Sequence, residues 1–122
     1  MTIKYLVPTA LSLILTALTT APAYALSGNQ FHEICTNPGS LMRATCDAYA
    51  WGAVEGLTFM RKVDAELSKG TMARLLFCTP ENITPQQISD VVKNYVRDHP
   101  EERSNTTSEM ALIAMLRAFP CK

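Results

Sequence analysis

Four cysteines, Cys35, Cys46, Cys78 and Cys121, constrain this 122-residue chain more than any other feature. No two are closer than Cys35 and Cys46, which stand eleven positions apart. Zinc sites draw on paired ligands a few residues apart, such as C-x-x-C, and this spacing supplies no such pair. An even set of cysteines in a small exported domain reads instead as two disulfides, with three connectivities open.

Export is written at the N-terminus. A basic start with Lys4 precedes an apolar run from Leu6 to Leu18, then the small residues of Thr19–Ala25. That order is a secretory signal, with cleavage expected after Ala25 and after Ala23 as the alternative. A membrane anchor is the competing reading. The run is shorter than the roughly 20 residues a span requires, and Pro8 interrupts it. No cysteine follows the cleavage region, so a lipid anchor is not expected. Cleavage leaves 97 residues, 26–122, which is one domain in the periplasm, with no membrane attachment. Losing Lys4 leaves ten basic side chains against eleven acidic ones, a net charge near −1. That balance gives no purchase on nucleic acid or anionic lipid.

Periodicity and caps predict an all-α domain, a small disulfide-stapled bundle of four main helices. Ser27 with Gln30 forms a capping box ahead of Phe31, Ile34 and Cys35. Asn37-Pro38-Gly39-Ser40 ends that helix, and Ser40 is placed to cap the next. The second helix is expected from Leu41 to Lys69, with Met42, Cys46, Tyr49, Ala53, Gly56, Met60, Val63 and Leu67 on one buried stripe. Gly52 and Gly56, one turn apart, predict a tight helix crossing there; a ligand site is the rival explanation. Arg61, Lys62 and Asp64 exclude a membrane-spanning dimer helix. Gly70 stops the helix, and Leu75–Pro80 reads as an extended segment entering the core. Thr84, Pro85 and Gln87 start the third helix, with Ile88, Val91, Val92 and Tyr95 facing inward until His99-Pro100. Thr106 and Glu109 frame the last, which turns Met110, Ile113, Ala114, Leu116 and Phe119 to the core.

Chemistry is harder to find. His32 and Cys35 lie one helical turn apart, but a cysteine committed to a bridge is no nucleophile. His32-Glu33 lacks the second histidine of a zinc-protease helix. No glycine-rich phosphate loop occurs, and the adjacent Glu101 and Glu102 read as a solvated charge run. Asn82-Ile83-Thr84 and Asn105-Thr106-Thr107 match glycosylation sequons, but capping accounts for their threonines. No cofactor and no catalytic residue is indicated, so a binding protein ranks above an enzyme.

Four segments then fall in a recognisable order. They are Cys46-Asp47-Ala48-Tyr49-Ala50-Trp51-Gly52, Phe77-Cys78-Thr79-Pro80-Glu81, Tyr95–Glu101 and the ending Ala118-Phe119-Pro120-Cys121. Together they resemble the Rap/Tai family, whose named members are immunity proteins of type VI secretion, over about Gly28 to Cys121. The Ala50-Trp51 pair departs from the expected aliphatic and small residues. The resemblance implies a helical periplasmic protein, often a homodimer, that binds and blocks an amidase effector cutting peptidoglycan peptides. It carries over no catalytic residues. A helical periplasmic chaperone or stress protein without a toxin partner is the alternative.

Two expectations complete the reading. A short turn between the first two helices and a hairpin of the last two favour bridges Cys35–Cys46 and Cys78–Cys121. The polar connection Asp98–Asn105, flanked by helix ends and stiffened by Pro100, is the candidate contact with a toxin, through His99, Glu101, Glu102 and Arg103.

Overall fold

Three helices start on the same device. Ser27 with Gln30, Thr84 with Gln87 and Thr106 with Glu109 each form a complete capping box, so the first free amides of each helix are bonded locally. In a computed structural model, which describes residues 24–67 and 77–122, the helices are α1 (Gly28–Thr36), α2 (Ser40–Leu67), α3 (Pro85–Asp98) and α4 (Thr107–Ala118). A single 3-10 turn, Pro100–Glu102, links α3 to α4. Residues 1–23 of the expected signal, the expected helix end at Lys69, the Gly70 stop, and Leu75 and Leu76 of the extended segment lie outside the described residues. No described helix is long and apolar enough to cross a membrane.

The all-α bundle of four main helices is as expected, and so are both bridges. Cys35 pairs with Cys46 across the α1–α2 turn, and Cys78 pairs with Cys121. All four sulfurs are thereby used. The α3–α4 hairpin brings the segment before α3 against the end of α4, where the Cys78 N–H donates to the Phe119 carbonyl at 2.8 Å. Phe31, Val54, Val92, Val96, Met110 and Met115 fill the centre between the helices, each almost fully buried.

Two details differ from the periodicity. Ser40 is the first residue of α2 rather than its cap. The Gly39 carbonyl accepts from the Arg43 N–H at 3.1 Å, and the Asn37 side chain accepts from the Gly39 N–H at 2.9 Å, so Asn37 shapes the turn.

The larger correction concerns α2. Its buried line runs through Cys46, Ala50, Val54 and Asp64, not through Met42, Gly56, Met60 and Leu67. Tertiary ties set this phase. Cys46 is bridged to α1, Asp47 bonds Ser89 and Lys93 of α3, and Arg61 donates to the Phe77 carbonyl at 3.0 Å. Gly52 and Gly56 look into open space, with nothing within 4 Å of where a Cβ would stand. Among the described residues the expected tight crossing at these glycines is therefore not formed; a small buried position of α2 is Ala50. Consequently Gly52→Ala and Gly56→Ala should each raise stability by about 0.5–1 kcal/mol, through the lower entropy of the unfolded chain. Urea unfolding of the two variants at a dilution where the chain is monomeric measures this, and a loss on either would mean that another part of the same chain packs on this face.

Candidate partner-binding site

The connection from α3 to α4 is built on Tyr95. Its ring is buried, and its hydroxyl donates to Glu102 Oε2 at 2.7 Å. Burial, helped by the Glu102 carboxylate, pushes the phenol up to about 12, so it remains a donor. His99, one turn on, stacks against Tyr95 with ring centroids 4.2 Å apart. The Arg117 guanidinium of α4 lies over the Tyr95 ring, 5.2 Å from its centroid.

His99 is held from both nitrogens. Nδ1 meets Glu101 Oε1 at 3.0 Å, and Nε2 faces Arg117 Nη1 at 3.5 Å. Arginine has only protons to offer, so in the neutral ring Nε2 accepts and Nδ1–H donates to Glu101. The same contact helps hold the Glu101 carboxyl below the usual range, after its own backbone N–H.

Arg103 has a different task. Its Nε donates to the Val96 carbonyl and its Nη2 to the Arg97 carbonyl, both at 2.7 Å. These are last-turn carbonyls of α3 without a helical partner, so Arg103 caps the helix and fixes the connection to it. The four predicted contact residues are thus brought together, but with unequal freedom. Glu101 is exposed, while His99, Glu102 and Arg103 are half-buried and engaged. His99, Glu101 and Glu102 could gather ligand atoms within 4.8 Å of one another. Their inner lone pairs already serve Tyr95 and the His99–Glu101 contact.

Sequence reasoning missed Tyr95 and Arg117 as members of this group. Tyr95 sits in the apolar stripe of α3, and only its four-residue spacing from His99 hints at the stack.

Two further surfaces carry distinctive side chains. A polar cleft of about 280 Å³ between α1 and α3 is lined by His32, Thr36, Asp90, Lys93, Asn94 and Arg97. Burial, then the positive charge of Arg103, lowers the His32 pKa. Beside the cleft, the Lys93 and Ser89 hydrogen bonds hold the Asp47 carboxyl below its ordinary value. The second surface is the outer face of α2, where Trp51, Phe59, Met60 and Leu67 are 43, 64, 59 and 79 % exposed. Near its end Phe59, Val63 and Leu67 border an apolar hollow of about 370 Å³. These are large apolar side chains left open to solvent on one helix.

A family model described as Rap1a immunity proteins matches residues 27–121. No curated protein and no solved structure matches the chain.

Proposed function

Because the chain belongs to the family of Rap1a immunity proteins, we propose that it is an exported, periplasmic antitoxin of type VI secretion that occludes the active cleft of a peptidoglycan amidase. The match over nearly the whole domain is the observation that carries this reading. The protein acts by binding, not by turnover.

The contact is the α3–α4 connection. An inhibitor of a cleft enzyme needs a protruding element that is already ordered, because ordering on binding costs affinity. Here Glu101 stands outward from a frame made by Tyr95, Glu102 and Arg103. Glu101 and His99 meet the toxin, and Glu102 and Arg103 keep the connection in shape. The outer face of α2 is then free for self-association into a homodimer, burying Trp51, Phe59, Met60 and Leu67.

A His99→Ala/Glu101→Ala variant should bind the cognate amidase effector at least tenfold more weakly, with an unchanged melting temperature. Calorimetric titration measures the affinity, and light scattering on the same samples reads the mass. Unchanged affinity removes the connection from the interface; a concentration-independent monomer mass removes the dimer.

A further inference from the structure

The first residues of α1 and the α3–α4 connection are bonded to one another, main chain to main chain, across almost the whole sequence. Gly28 N–H donates to the Asn105 carbonyl at 2.9 Å and Asn29 N–H to the Arg103 carbonyl at 3.0 Å. In return, Thr107 N–H and Thr107 Oγ1–H both donate to the Leu26 carbonyl, at 2.7 and 2.9 Å. Ser27 and Thr106, the N-caps of α1 and α4, thus pair as an antiparallel bridge.

These donors are the amides that a helix start leaves without an intrahelical partner. Gln30 N–H is served by Ser27 Oγ, and Gly28 and Asn29 are served by the connection. The first amide of α4 is served by Leu26. Each helix start therefore completes the other, and neither set is satisfied alone.

The fit leaves no room for a side chain at residue 28. A Cβ on Gly28 would stand 2.9 Å from Arg103 Cα and 3.1 Å from the Arg103 carbonyl oxygen, and it would collide with Met110 Sδ. Gly28 is buried, and so is Thr107. Arg103, which caps α3, is thereby pressed from the other side by the start of α1.

We infer that Leu26–Asn29 is a strap that orders the α3–α4 connection, and that export processing must leave it intact, so the mature chain begins no later than Leu26. Among the described residues the strap uses the Leu26 carbonyl, and no bond from the Leu26 amide nitrogen takes part in it. A cut after Ala25, or after Ala23, preserves every bonded atom. A cut after Ser27 removes the Leu26 carbonyl and the Ser27 cap together. The link to toxin binding rests on the reading given under Proposed function; the ordering of the connection does not.

Hydrogen exchange on the purified protein separates the two. In a chain beginning at Gly28, the amides of Glu102, Arg103, Asn105 and Thr107 should exchange at least tenfold faster than in the chain beginning at Leu26. Amides of Val92 and Val96 should keep their rates. Should the shortened chain not fold, Gly28→Ala and Thr107→Val in the longer chain are expected to open the same four amides. Unchanged exchange in these variants overturns the strap, as does a natural N-terminus at Ser27 or beyond, read by intact mass on protein from a periplasmic extract. Faster exchange with undiminished toxin affinity upholds the strap and places the toxin contact elsewhere.

Discussion

A Cys78→Ser/Cys121→Ser variant should lose about 4 kcal/mol of folding stability, the chain-entropy value for a closed loop of this length. The bridge joins residues 43 apart and encloses all of α3, the connection and α4. Both cysteines are exposed, so serine buries no unsatisfied hydroxyl at either position. The substitution therefore reports chiefly on freedom regained by the unfolded chain. Small domains have about 5–15 kcal/mol in hand, so the loss is a large share of the whole. Urea unfolding at neutral pH measures it. A loss below about 1 kcal/mol would show that the Cys78–Phe119 hydrogen bond and the buried Phe77 already confine the segment without the bridge.

Phe31→Ala should have an effect of similar size, about 3–5 kcal/mol, by removing a large buried ring and leaving a cavity. Phe31 is fully buried, the largest such side chain on α1, and its ring lies tilted at 6.0 Å from that of Tyr49 on α2. It also sits one turn into the helix whose start carries the strap. Collapse around the vacancy is resisted by the Cys35–Cys46 bridge, which holds α1 to α2 close by. Phe31→Leu, which keeps most of the volume, should cost far less. Equal losses for the two variants would mean that ring shape, not volume, is what the core requires.

Local signals in the sequence translated well into structure. Each capping box joins residues three apart, so Ser27/Gln30, Thr84/Gln87 and Thr106/Glu109 could be read without tertiary knowledge. The bridges followed from one short turn and one hairpin, which are also local geometry. The phase of α2 did not follow, because apolar residues occur all around that helix. Met42, Met60 and Leu67 fit a stripe as well as Ala50 and Val54 do, and ties to α1, α3 and Phe77 chose between them. The glycine argument failed for a related reason. A costly residue suggests a close neighbour, yet among the described residues none stands beside Gly52 or Gly56.

The candidate site was half legible. Its position and the residues His99, Glu101, Glu102 and Arg103 could be picked out by polarity alone. Their division of labour could not, since it depends on Tyr95 and Arg117, which come from two different helices. The pairing of residues 26–29 with 103–107 left almost no trace, because main-chain hydrogen bonds have no side-chain signature. Gly28 was the single clue.

That pairing also sets a timetable for folding. A chain is made, and if exported delivered, from its N-terminus onward, so Leu26 emerges early and Thr107 about eighty residues later. At a synthesis rate of roughly 5–20 residues per second, the first helix waits several seconds for the partners of its leading amides. A contact this distant in sequence closes late, after the intervening helices have condensed. Until then the leading amides of the first helix lack these partners. Loop-closure entropy thus places the fastening of beginning to end late in assembly, and that step shapes the α3–α4 connection.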